Sequence, residues 1–89
     1  MNQPWWVYIV QTRSGKFYTG ISTDIERRFS EHCNPENAKR AKFFRSDPAQ
    51  SIVYCEAVKN RSEASKREAA IKKLSRQKKC DLVEFDPSL

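Results

Sequence analysis

No stretch of this 89-residue chain approaches the ~20 consecutive apolar residues that a membrane span needs, so no membrane partner is expected. The opening MNQPWWVYIV lacks a basic start and a small-residue cleavage site, and no signal peptide is read there. Cysteine is sparse. Cys33, Cys55 and Cys80 form no C-x-x-C pair, which removes the zinc-knuckle and dithiol redox motifs. Three widely spaced thiols suit a reducing compartment, so the cytoplasm is the expected location. His32 and Cys33 are adjacent, but no second ligand pair has the spacing of a zinc site. No repeat, linker or low-complexity tract interrupts the chain, and one domain over residues 1–89 is expected.

What the chain does have is positive charge and aromatic rings. The formal charge is +6, with 31% charged and 38% apolar residues. Ten aromatics argue for a folded domain rather than a disordered one. A domain of this size buries only about two thirds of its unfolded surface, so one modest core is the ceiling. The basic excess favours a polyanionic partner, nucleic acid before an acidic membrane.

Residues 5–12 are apolar, aromatic and β-branched, as in a buried strand. Arg13, Ser14 and Gly15 form the turn, and residues 16–22 a second strand with Phe17, Thr19 and Ile21 on one face and Tyr18 and Gly20 on the other. Thr23 with Glu26 fits a capping box, opening a helix that runs to about Cys33, before Asn34-Pro35. Residues 36–47 are rich in Lys and Arg, with room for a short helix, and Asp47-Pro48 is a turn. Residues 51–58 (SIVYCEAV) form a third strand. Asn60, with Glu63 three residues on, caps a helix to about Leu74, and a last helix covers residues 77–84. The expected class is α/β (α+β), a three-stranded, mainly antiparallel sheet flanked by helices in the order β-β-α-β-α-α.

Several polar side chains fall on inward-facing stripes. Ile25 and Phe29 mark the core side of the first helix, and Arg28 and His32 share that stripe while Glu31 points elsewhere. Ala64, Ile71 and Leu74 mark the second buried stripe, and Glu68 lies on it. A carboxylate there needs a cation or a metal, an ion pair with Arg28 or a lysine being the plain alternative. A three-residue loop with Gly15 left-handed would pair Val10 with Tyr18 and Tyr8 with Gly20, setting both tyrosines on one face with open space beside Tyr8. A two-residue loop would put them on opposite faces. Two phenols, a guanidinium, an imidazole and one carboxylate are the parts of a one-metal phosphodiesterase: a guanidinium clamps phosphate, imidazole moves protons, and Mg²⁺ binds through few carboxylates and substrate phosphates.

Trp6-Val7-Tyr8 and Tyr18-Thr19-Gly20 resemble the two degenerate triplets of the GIY-YIG nuclease superfamily. ISTDIERRFSEH (residues 21–32) resembles its first-helix motif, Arg28 falling on the arginine and His32 on the histidine, and Glu68 matches its later glutamate. The likeness spans residues 4–85 and is closest to the small single-domain bacterial members. It implies the fold outlined above, the three-residue hairpin register, and metal-dependent DNA endonuclease activity in repair or in processing of unusual DNA structures. Tyr8 would activate the water with help from Tyr18 and His32, with Gly20 as the structural member of the site. Arg28 would stabilise phosphate charge and Glu68 would hold Mg²⁺ or Mn²⁺. Many members carry an asparagine beyond the glutamate. Here AAIKKLSRQKKCDLVEF follows Glu68, with no asparagine and with Gln77 as the stand-in, which keeps a non-catalytic nucleic-acid-binding module as the rival reading.

The basic residues expected to meet DNA are Lys39, Arg40, Lys42, Lys72, Lys73, Arg76, Lys78 and Lys79. Phe43 and Phe44 are either stacking rings among them or core residues. No major-groove reading helix is visible, so contacts to the backbone or to DNA shape are expected. Trp5, Trp6 and the loop over residues 36–47 would instead serve a protein-interaction adaptor.

Overall fold

The computed structural model describes residues 4–34, 36 and 42–84. Three strands, β1 (Trp5–Thr12), β2 (Phe17–Ser22) and β3 (Ala49–Val58), form a fully antiparallel sheet in the order β2-β1-β3. Helix α1 (Ile25–Cys33) and a 3₁₀ turn (Lys42–Phe44) lie between β2 and β3, and helices α2 (Arg61–Lys72) and α3 (Arg76–Glu84) follow β3. The expected class and element order are observed. Among the described residues no helix is long and apolar enough to cross a membrane.

The central strand explains the sheet. Residues 7–10 are all buried, because β1 has helices on both faces. Val7 and Ile9 pack with Tyr54 against Ala64 and Ile71 of α2, with Leu82 and Val83 of α3 beside them. Tyr8 and Val10 point the other way, to Phe44 and to Ile25 and Phe29 of α1. A strand covered on both sides reads as an unbroken apolar run rather than an alternating one.

The hairpin adopts the three-residue loop. The Thr12 N–H donates to the Lys16 carbonyl at 2.8 Å and the Gly15 N–H to the Thr12 carbonyl at 3.0 Å. Gly15 sits at φ +96°, where a Cβ would be strained. Asp47 ties this loop to the start of β3: its carboxylate accepts from Thr12 Oγ1 at 2.7 Å and from the Ser14 N–H at 3.1 Å. The Ser14 hydroxyl also donates to it, and the Ser14 and then the Thr12 hydroxyl bonds do most to hold the Asp47 carboxyl below its usual range.

Several boundaries differ from expectation, each for a local reason. The N-cap of α1 is Asp24, not Thr23: its Oδ1 accepts from the Arg27 N–H at 3.1 Å, while Ser22 Oγ accepts from the Asp24 N–H at 2.9 Å. A carboxylate one residue later does the same capping and also meets the positive end of the helix. β3 begins at Ala49, two residues earlier than expected, because register shifts opposite Ile9/Val10 and Gln11/Thr12 absorb extra residues. Asn60 caps α2 as expected, accepting from the Glu63 N–H at 2.9 Å. α2 stops at Lys72 as the Leu74 N–H turns back to the Ile71 carbonyl at 3.0 Å. Ser75 then starts α3 one residue early, its Oγ accepting from the Lys78 N–H at 3.2 Å.

This packing fixes which side of α2 matters. Ile71 is fully buried whereas Ala70 is exposed. Ile71→Ala is expected to lower the unfolding free energy by ~2–5 kcal/mol, and Ala70→Ser by no more than ~0.5 kcal/mol. Urea denaturation with unchanged m-values measures both, and equal effects would mean the helix is rotated from this arrangement.

Candidate active site

The hairpin register puts Tyr8 opposite Gly20 and Val10 opposite Tyr18, so both phenols rise from the same face of the sheet. The space beside Gly20 is filled by Tyr8 itself. A Cβ on Gly20 would lie 2.5 Å from the Tyr8 hydroxyl oxygen and 2.7 Å from Cζ. The glycine lets the phenol lie across β2.

α1 brings its polar stripe over these rings. The Tyr8 hydroxyl and His32 Nε2 are 3.0 Å apart, and each residue is 1% exposed. The His32 ring meets Tyr18 edge-on at 5.2 Å between centroids and Phe44 at 4.6 Å. Its Nδ1 is buried and lacks a hydrogen-bond partner among the described residues. If Tyr8 donates to Nε2, Nδ1 is an unsatisfied N–H. If Nε2 donates, Nδ1 is an unsatisfied lone pair. Either arrangement costs about 1–3 kcal/mol, and such an orphan is unusual in a buried side chain.

Arg28 sits one helical turn before His32, half-buried, and its Nη1 donates to Glu31 Oε1 at 3.2 Å. Glu31 was expected to point away. It is instead the half-buried clamp that orients this guanidinium, and its i+3 spacing from Arg28 was the available signal. Arg28 also acts on Tyr8 by charge and by hydrogen bonding.

Glu68 arrives from the opposite layer. Its helix packs against β2 and β1, and its charge is still felt at the Tyr8 phenol. The carboxylate is half-buried and pairs with Lys72 Nζ at 3.4 Å one turn on, so its ion-pair partner is a lysine. Among the described residues no three His, Cys, Asp or Glu side chains cluster as a ready-made metal cage. One half-buried carboxylate whose charge reaches the Tyr8 phenol fits Mg²⁺, which keeps several waters and takes few protein ligands.

Electrostatics keep the Tyr8–His32 pair neutral. Burial foremost, then the neighbouring Tyr18, holds the Tyr8 phenol well above its ordinary value, while Arg28 pulls it down. Burial, then the Arg28 charge, depresses His32 from 6.5 to about 4, opposed by Glu31. An uncharged imidazole beside a protonated phenol can accept a proton along a bond that already exists.

The basic residues divide. Lys42, Lys72, Lys73 and Lys78 are exposed and Lys79 is half-buried. Arg76 is exposed but engaged: Nη2 donates to the Gly15 carbonyl at 2.8 Å and its guanidinium lies 4.3 Å from the Phe17 ring centroid. Lys39 and Arg40 lie outside the described residues. Gln77 does not reach toward the tyrosines, since its amide donates to Asp81 at 3.1 Å within α3. Phe44 is buried as the floor under His32, while Phe43 is 39% exposed.

The depressed His32 value makes stability pH-dependent. Between about 4 and 6.5 the unfolded chain binds a proton at His32 that the folded chain refuses, so stability falls as pH drops through that window. The shift corresponds to on the order of 3 kcal/mol. Unfolding free energies from pH 7 to 4.5 are expected to fall more steeply for the wild type than for His32→Gln, and parallel profiles would contradict a buried neutral imidazole.

Comparison with known proteins agrees with this fold. The family model described as the GIY-YIG catalytic domain matches residues 4–81. A UPF0213 protein of Desulfotalea psychrophila is 51% identical over 90% of this chain and 71% of its own length. One from Pseudomonas aeruginosa is 47% identical over 96% of this chain and 79% of its own. The solution structure of a UPF0213 protein from Bacillus halodurans shares 34% identity with a TM-score of 0.57, covering 92% of this chain and 84% of that one. A protein from E. faecalis shares 35% identity with a TM-score of 0.60, covering 94% and 88%. Phenols, imidazole, guanidinium and carboxylate thus stand on a fold that these relatives share, and the chain belongs to the GIY-YIG family, a nuclease-type domain.

Proposed function

We propose that this protein is a Mg²⁺- or Mn²⁺-dependent DNA endonuclease that hydrolyses phosphodiester bonds in repair or in the processing of unusual DNA structures in the cytoplasm. The observation that supports it most is the buried 3.0 Å contact between the Tyr8 hydroxyl and His32 Nε2. The attacking water gives its proton to the Tyr8 oxygen as the phenolic proton passes along the existing hydrogen bond to His32, whose imidazole starts neutral. Tyr18 closes the other side of the imidazole and keeps it dry. Arg28, oriented by Glu31, offsets negative charge building on the phosphate. Glu68 is the residue to hold the metal, which when bound supplies Lewis-acid support for the phosphate and leaving oxygen. The exposed lysines of α2 and α3, with Lys42, contact the DNA backbone.

A second reading, a non-catalytic nucleic-acid-binding module, is favoured by one observation. No asparagine follows Glu68 among residues 69–85, and the Gln77 amide is taken by Asp81.

Cleavage of labelled duplex, nicked, flapped and branched DNA with Mg²⁺ or Mn²⁺ separates the two. Tyr8→Phe is expected to slow cutting ~10²–10⁴-fold, Arg28→Ala ~10²–10³-fold, and Glu68→Ala to remove it. Cutting that survives in Tyr8→Phe and Glu68→Ala sinks this active site. Salt-sensitive binding in all variants with no cutting establishes the binding module.

A further inference from the structure

Among the described residues, Phe43 is the only exposed large hydrophobic side chain. Its neighbour Phe44 is completely buried, so one of two consecutive phenylalanines serves the core and the other does not. Phe43 lies against the site: its ring centroid is 5.5 Å from that of Tyr18 and 5.5 Å from that of Phe44. Neither neighbour is parallel to it, the planes meeting at 49° and 79°, so neither stacks flat on its faces. The ring is carried on the 3₁₀ turn between Lys42 and Arg45, both exposed. Core packing accounts for Phe44. It does not account for a second, exposed ring against Tyr18 and Phe44, with an exposed cation just before it and another two residues after it in the chain.

We propose that Phe43 is a stacking platform for one unpaired nucleobase, with Lys42 and Arg45 on the adjoining phosphates, so that the substrate is single-stranded or locally unpaired DNA beside the cleaved bond. This rests on the nuclease reading above and specifies its substrate class. A base inside a duplex has both faces covered by its neighbours and none to offer an isolated ring. An unpaired base has a face available, and stacking on an aromatic side chain contributes ~1–3 kcal/mol per base without regard to sequence. The flanking cations contribute a salt-dependent attraction that duplex and single strand share. Phe43 therefore discriminates by pairing state rather than by sequence.

Binding in metal-free buffer tests this without requiring cleavage. Wild type, Phe43→Leu and Phe43→Trp are titrated at one salt concentration with three labelled DNAs: an oligo-dT strand, a strand of the same length made wholly of abasic sites, and a duplex. Phe43→Leu is expected to weaken oligo-dT binding about tenfold and to leave the abasic strand and the duplex within about twofold, with Phe43→Trp binding oligo-dT at least as well as wild type. The wild type is expected to lose about the same factor on the abasic strand, a comparison that needs no variant to fold. Equal weakening of all three DNAs by Phe43→Leu, or a wild type that binds oligo-dT and the abasic strand alike, overturns the proposal. Adding Mg²⁺ to the same mixtures separates the two ideas. Cutting without a preference for bases over abasic sites keeps the nuclease and removes the platform. The preference without any cutting keeps the platform and removes the nuclease.

Discussion

The candidate site depends on a close approach: the Tyr8 phenol lies across β2 where Gly20 has no side chain, and its hydroxyl meets His32. Everything else around the site follows from that placement. The phenol cannot lie there unless the hairpin pairs Tyr8 with Gly20, which needs the three-residue loop and its left-handed Gly15. His32 cannot meet it unless α1, capped by Asp24, enters in this orientation, since a rotation by one residue turns a side chain by about 100°. The bond therefore reports on two independent local structures, a turn and a cap, that must both be right.

The two layers contribute differently. The α1 layer holds the hydrogen-bonded Tyr8–His32 pair, enclosed by Tyr18 and Phe44, and the guanidinium. The α2 layer supplies the carboxylate, half-buried and held by Lys72. On the face away from the tyrosines a separate polar network, with the Tyr54 hydroxyl and Arg67 Nε both donating to Glu56 Oε1 at 2.6 and 3.1 Å, fastens α2 to the edge strand β3. Arg76 joins the α2–α3 junction to the hairpin loop through the Gly15 carbonyl. These contacts hold α2 in place from sites distant from the chemistry.

Much of this was legible in the sequence because local rules and tertiary needs agree here. The buried run of β1, the Asn60 cap and the stripe shared by Ile25, Arg28, Phe29 and His32 are short-range patterns, and the structure keeps them. The cap of α1 was misplaced by one residue because Ser22, Thr23 and Asp24 are all capping residues, and only the strand's end decides among them. Glu31 was missed because its stripe is polar, and a partner for a half-buried arginine is set by side-chain reach rather than by hydrophobic period. The separate fates of Phe43 and Phe44 were also hidden, because adjacent residues in a 3₁₀ turn diverge in direction and the pattern alone does not say which one the sheet covers. The family resemblance supplied the grouping of distant residues, which no periodicity contains.

The split between layers also has a consequence for synthesis. Tyr8 and Tyr18 emerge early, Arg28 and His32 next, and Glu68 only after the whole of β3, on a helix that packs on the face opposite α1. A growing chain that has reached the end of β3 holds the phenols, the imidazole and the guanidinium but not the carboxylate. The two layers of the site are thus also separated along the chain, with the whole of β3 between them.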